Sequence, residues 1–193
     1  MNITAMYFSG TGTTKKVTAA IADELTEIKI SRDETAAGEN PGSIKAGIKP
    51  WQRADDIDFT PPAARREIYR FTPDDLVVFG VPVIAGRVPN VLLKFLDTLQ
   101  GGGALAVPVV LYGNRNFDDA LIELRNILQD RGFYAIGAAA FIGEHSFSRI
   151  LAAGRPDSSD MELSRDFARK LAGKIRRLGA AGLREAAPVP VDG

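Results

Sequence analysis

Ile3-Thr4-Ala5-Met6-Tyr7-Phe8-Ser9-Gly10-Thr11-Gly12-Thr13-Thr14 begins as a short, mostly apolar run and ends in two glycines and four hydroxyls. The apolar part, closed by Ser9-Gly10, reads as a buried strand of a parallel sheet, because such strands are covered on both faces and lose the usual apolar/polar alternation. Val17, Ala20, Ile21, Leu25 and Ile28 then recur three or four residues apart, which predicts an amphipathic helix over residues 13 to 27 packed on that strand. Strand, Gly/Thr loop and helix form one unit. It repeats at Leu76 to Val81 with Val91, Leu92, Phe95, Leu96 and Leu99. It repeats again at Val107 to Tyr112 with Ala120, Leu121, Leu124, Ile127 and Leu128, and at Tyr134 to Ile142 with Leu163, Phe167, Leu171, Ile175 and Leu178. Strands alternating with single helices, and no hairpin signal between them, predict a doubly wound parallel sheet with helices on both faces.

Residues 28 to 70 are harder to read, since Gly38, Pro41, Gly42, Gly47, Pro50 and Pro61-Pro62 interrupt any period. One strand must lie there. Asp56-Ile57-Asp58-Phe59-Thr60 is favoured because it alternates and stops at two prolines, with Glu27 to Ser31 as competitor. The tail from Ala186, with Pro188 and Pro190, reads as a loose extension.

Composition narrows the chemistry. With 193 residues, 45% hydrophobic and 25% charged, the chain fits one globular domain. It has no cysteine, which removes disulfides, Cys-ligated zinc or iron–sulfur clusters and a thiol nucleophile, so redox work must come from a bound cofactor. One histidine excludes a His-rich metal site, and no metal is expected. Twenty-four basic residues balance 24 acidic ones with no single-sign block, which argues against nucleic acid as a partner. No basic leader precedes the first strand and no run approaches the ~20 apolar residues of a membrane span, so a soluble, cytoplasmic protein is expected.

The loop Ser9, Gly10, Thr11, Gly12, Thr13, Thr14 reads as an oxyanion cradle. The first amides of a helix have no internal partner and carry partial positive charge, and nearby hydroxyls add donors without adding charge. Lys15 and Lys16 occupy the first turn, where a cation opposes the helix dipole unless an anion is bound. A Walker loop is excluded because Thr14 precedes Lys15 where glycine is required, and Lys15 replaces the third glycine of a dinucleotide fingerprint. A receiver domain would place acidic residues after this strand, and none is present. The pattern [ST]xTGxT of a flavodoxin phosphate loop does fit, although the wider signature has alanine where Thr18 stands. Ligands of doubly wound sheets sit beyond the carboxyl ends of the strands. The two later loops that look equipped to meet one are Pro82-Val83-Ile84-Ala85-Gly86-Arg87 and Tyr112-Gly113-Asn114 with Asn116, Phe117 and Asp118.

With Ile57 to Ala64, Pro73 to Val83, Gly86 to Pro89, Tyr112 to Leu121 and Glu144 to Ser148, these segments make residues 1 to 178 resemble the flavodoxin-like family. The chain is most similar to the flavodoxin-type module at the amino end of two-part flavodoxin/ferredoxin proteins, here without the ferredoxin part. The resemblance implies FMN as cofactor, five parallel strands in the order 2-1-3-4-5, electron transfer as the activity, an insertion at 28–54 and a C-terminal extension at 179–193. It also implies an electron partner outside the chain, either a redox protein or a small-molecule donor or acceptor, and allows a homodimer. A stand-alone NAD(P)H- or quinol-dependent FMN oxidoreductase and a flavin-free binding module are the alternatives. Under the flavin reading Gly86 offers a backbone contact to the reactive ring nitrogen, Phe117 or Tyr112 covers a ring face, Asn114 and Asn116 bond its edge, Arg87 meets an anionic acceptor or a nicotinamide phosphate, and His145 is the candidate catalytic proton relay.

Overall fold

A strand covered on both faces must send alternate side chains into two separate cores. The computed structural model describes residues 1–35, 51–148 and 150–191, and its longer strands do this. In chain order the elements are β1 (Asn2–Tyr7), α1 (Thr13–Thr35), β2 (Gln52–Arg53), β3 (Ile57–Asp58), β4 (Asp75–Pro82), α2 (Asn90–Leu96), β5 (Leu105–Tyr112), α3 (Ala120–Asp130), β6 (Tyr134–Ala135), β7 (Ala139–Ile142) and α4 (Ser158–Glu185). Ile3, Ala5 and Tyr7 of β1, Leu76 and Val78 of β4, and Leu105, Val107 and Val109 of β5 pack with Val17, Ile21 and Leu25 of α1 and with Leu171 and Ile175 of α4. Met6, Val77, Phe79, Val81, Ala106 and Val110 face the other way, onto Leu92, Phe95 and Leu96 of α2 and Leu124 and Leu128 of α3.

Among the described residues every strand pair is parallel. β1 lies between β4 and an edge made of β2 and β3, and β5 lies between β4 and an edge made of β6 and β7. With each broken edge taken as one strand position, the order is the expected 2-1-3-4-5, and the chain has the flavodoxin-like three-layer α/β fold.

Both edges break where a backbone group finds another partner. Between β2 and β3, Arg53 bonds the Ile3 and Ala54 carbonyls and pairs with Asp23 and Asp56, so its guanidinium occupies the gap. The single strand predicted over Tyr134 to Ile142 is interrupted by Ile136 to Ala138. There Lys174 Nζ donates to Ile136 O at 2.8 Å, and burial with the neighbouring Arg177 holds that ammonium below the usual lysine range.

The favoured second strand is present in part, with Ile57 and Asp58 beside Met6 and Tyr7. Its competitor is overturned: Glu27 to Ser31 continue α1, which runs well past the predicted residue 27. Of the expected insertion at 28–54, residues 28–35 continue α1, Gln52 and Arg53 pair with β1, and residues 36–50 lie outside the described residues. The helical pattern over 91–99 yields a helix only to Leu96, although Leu99 stays buried. α4 passes residue 178 with a non-helical Gly179 at φ 67°, buries Leu183, and ends at Glu185. Beyond it the tail is tied down: Val189 N–H donates to Ala135 O at 3.2 Å and Val189 O accepts from Arg125 Nη1 at 2.9 Å.

Candidate functional site

At the carboxyl ends of β1, β4, β5 and β7 four loops surround a cavity of about 610 Å³, within the range of small-molecule and cofactor sites. The β1–α1 loop contributes Phe8, Gly10, Thr11, Thr13 and Thr14. Thr11 Oγ1 and Thr13 Oγ1 are 3.2 Å apart, while Gly12 has φ 87° and its carbonyl accepts the Lys16 N–H at 3.0 Å, closing the first turn of α1. Ser9 does a different job from the other hydroxyls. Its Oγ accepts Lys15 N–H at 3.0 Å and its own N–H donates to Thr60 Oγ1 at 2.8 Å, so it caps the helix and ties the loop to the β3 edge. Neither lysine lines the cavity: Lys15 Nζ stands 5.8 Å from the Tyr7 ring centroid, and Lys16 Nζ donates to Pro156 O at 2.9 Å.

The β4–α2 loop supplies Pro82, Val83, Ile84, Ala85 and Gly86. Ile84 N–H donates to Arg87 O at 3.0 Å and Arg87 N–H to Ile84 O at 3.1 Å, with Ala85 at φ 52° and Gly86 at φ 73°. Positive φ at both central residues is the hallmark of a type I′ turn. Arg87 does not line the cavity. Its Nε and Nη2 make a forked pair with Glu123 of α3 at 3.0 and 2.8 Å, and Glu123 also accepts Val88 N–H at 2.8 Å. The Arg87 bond holds the Glu123 carboxyl below the usual range, against the opposing effect of burial.

From the β5–α3 loop come Tyr112, Gly113, Arg115, Asn116 and Asp118. Asn116 Oδ1 accepts Phe117 N–H at 2.8 Å and Asp118 N–H at 3.3 Å, so this amide shapes its own loop. Asn114, at φ 63°, and Phe117 fall outside the lining, and Phe117 packs behind Tyr112 with ring centroids 5.7 Å apart. Arg115 holds no ion pair among the described residues.

The fourth loop, after β7, was not placed at the site by sequence reasoning beyond His145. Gly143, Glu144, His145, Ser146 and Phe147 all line the cavity, and a second cavity of about 400 Å³ continues between Thr11 and this loop. Phe8, Leu111 and Arg115 were missed as well. The rule that ligands gather at strand carboxyl ends, applied to all four strands, would have found each of them. Among the described residues no helix is long and apolar enough to cross a membrane, and no cluster of His, Asp and Glu is placed to hold a metal ion.

No protein-family model and no curated protein matches the sequence. Solved structures do match in fold. A flavodoxin from the domain Archaea aligns over 91% of this chain and 99% of its own at 16% identity and TM-score 0.53. An NADH:FMN oxidoreductase in apo form aligns over 90% and 89% at 18% identity and TM-score 0.56. Oxidised flavodoxin 2 from Bacillus cereus aligns over 90% and 99% at 16% identity and TM-score 0.53.

Proposed function

We propose that this chain, flavodoxin-like in fold, binds one FMN and acts in electron transfer. The observation that carries the reading is a cavity whose wall combines two chemistries. A glycine and threonine loop at the start of α1 offers hydroxyls and helix amides without a charged side chain, and the aromatic residues Phe8, Tyr112 and Phe147 line the same cavity. A phosphate suits the first and a flat heteroaromatic ring the second. Gly10 and Gly12 leave open space where a Cβ would project, so the backbone is accessible to a phosphate.

Bound FMN would supply the one- and two-electron chemistry, in a chain that has no cysteine thiol to do redox work. The chain's part is to bind and orient. Thr11, Thr13 and Thr14 would hold the phosphate, the Ile84–Arg87 turn presents the Gly86 backbone to the ring, and Tyr112, with Phe117 behind it, supplies an aromatic wall.

The second reading, an NAD(P)H-dependent FMN oxidoreductase, is favoured by Arg115. With Arg87 committed to Glu123, Arg115 is the cation placed to meet an anionic donor, and an NADH:FMN oxidoreductase is among the fold's matches. The test is the spectrum of the purified protein followed by titration with FMN. Flavin absorbance and saturable binding support the proposal, and a chain indifferent to FMN overturns it. Oxidation of NADPH or NADH by the loaded protein alone selects the second reading, whereas activity only with an added redox protein selects the first.

A further inference from the structure

Residues 144–148 and 150–155, between β7 and α4, are folded back on one another. Glu144 N–H donates to Arg155 O at 3.0 Å, Gly154 N–H to Glu144 Oε1 at 2.8 Å, His145 N–H to Leu151 O at 3.3 Å, and Leu151 N–H to Ser148 Oγ at 3.1 Å. From this framework Phe147 projects with 90% of its surface exposed, although it lines the cavity. A large aromatic side chain left in water forgoes the stabilisation that burial of its apolar surface gives. Phe147 is therefore apolar surface waiting for a partner, in the wall of a cavity that Tyr112 and Phe8 also line.

What fixes Phe147 is His145. The Phe147 N–H donates to His145 Nδ1 at 3.2 Å, and the two rings meet edge to face at 6.2 Å. A backbone amide only donates, so Nδ1 must carry no proton. The histidine is itself seated against the neighbouring loop: a Cβ on Gly113 would come within 2.8 Å of His145 Cα and 2.9 Å of its Cδ2.

We infer that neutral His145 is a positioning residue that holds Phe147 as the outer aromatic wall of the flavin site, and that protonation of His145 releases that wall and weakens ring binding. This rests on the FMN reading. A proton on Nδ1 sets donor against donor, and the Phe147 amide loses its acceptor. The charged groups sharing the cavity wall, among the described residues, are Glu144 of the same loop and Arg115 and Asp118 of the β5–α3 loop; the phosphate loop brings only uncharged Thr11, Thr13 and Thr14. His145 is the chain's only histidine, so an imidazole titration has one owner.

Riboflavin is the decisive probe, because a phosphate monoester itself ionises near pH 6 and would mix its titration with that of the imidazole. Dissociation constants of riboflavin and FMN are measured by fluorescence quenching between pH 5 and 8. Ring stacking is worth about 1–3 kcal/mol, so wild-type affinity for riboflavin should be about tenfold weaker at pH 5 than at pH 8. His145→Asn places an oxygen where Nδ1 stood and does not titrate: its riboflavin affinity should show no pH dependence between pH 5 and 8. Phe147→Ala and His145→Ala should each bind about tenfold more weakly at all pH values, with no further loss in the double variant. A His145→Asn protein that keeps the wild-type pH dependence, or a Phe147→Ala protein that binds normally, overturns the inference. In the flavin-free protein the Phe147 amide resonance should move with the His145 titration and stay fixed in His145→Asn; an amide that ignores the titration also overturns it. Failure of the FMN reading looks different: neither flavin then binds at any pH.

Discussion

The Asp118 carboxylate fills the space that a Cβ on Gly86 would need, so the β5–α3 loop closes against the β4–α2 turn only because residue 86 has no side chain. Gly86 also has φ 73°, a conformation costing an L-residue roughly 1–2 kcal/mol. Gly86→Ala therefore combines backbone strain with displacement of Asp118. Chemical denaturation should show a loss of about 2 kcal/mol, with weakened FMN binding. Asp118→Ala in the same protein should recover part of the stability, since it relieves the collision and not the strain. An alanine at 86 that leaves stability and binding unchanged would show that the turn tolerates another geometry.

The sheet was legible for a definite reason. β1, β4 and β5 are covered on both faces and read as continuous apolar runs, and the helices between them show one apolar side each. The edges were less legible. β2, β3 and β6 are two residues long, too short to carry a period; one break is filled by Arg53 of β2 itself, paired with the distant Asp23, and the other by Lys174, which arrives from distant sequence. The β1–α1 loop could be placed at the cavity because its glycines and hydroxyls are local residue types that read directly from the sequence. Arg87 could not, because nothing near it in sequence announces Glu123, 36 residues away, as its partner. Phe147 was passed over because an aromatic residue in a polar loop carries no periodic signal, and only the strand-end rule brings its loop to the site.

Thr11→Asp tests the phosphate end directly. The variant sets a carboxylate beside Thr13 Oγ1, where the phosphate would be held. Thr11 is exposed and belongs to neither apolar core, so the fold should persist with an unchanged melting temperature. FMN affinity should fall at least 100-fold, equivalent to about 2.7 kcal/mol, while riboflavin, lacking the phosphate, should lose far less. Equal losses for the two ligands would place the phosphate elsewhere.

Asp157 and Asp160 cap α4 reciprocally. Asp157 Oδ1 accepts the N–H groups of Ser159 and Asp160 at 2.9 and 3.0 Å, and Asp160 Oδ2 accepts Asp157 N–H at 2.9 Å. Asp157→Ala should cost about 1 kcal/mol of stability, and Asp157→Asn or Asp157→Ser much less, because each keeps an acceptor. The loop from β7 leads straight into this cap and is anchored there by the Arg155–Asp160 pair. Hydrogen exchange in residues 144–148 and 150–155 should therefore quicken in Asp157→Ala, and unchanged exchange would mean that the loop is held independently of the helix start.

Acid should weaken the protein through two carboxylates. The Arg87 hydrogen bond holds Glu123 below its ordinary range, and the Arg155 hydrogen bond does the same for Asp160. A carboxyl whose folded value is depressed stabilises the fold fully above its unfolded value, about 4.3 for Glu and 3.9 for Asp. That contribution is lost as pH falls through the folded value. Unfolding free energy should thus be level near neutrality and decline below about pH 4. Glu123→Gln keeps an acceptor for Val88 N–H but gives up the charge, so it should be less stable than wild type at pH 7 and show a shallower decline between pH 4 and 2. Because Glu123 also steadies the Ile84–Arg87 turn through Arg87, the same variant should bind FMN a few-fold more weakly at pH 7. Parallel acid curves for the two proteins would show that the Arg87–Glu123 pair, though well formed, does not contribute to the acid sensitivity of the fold.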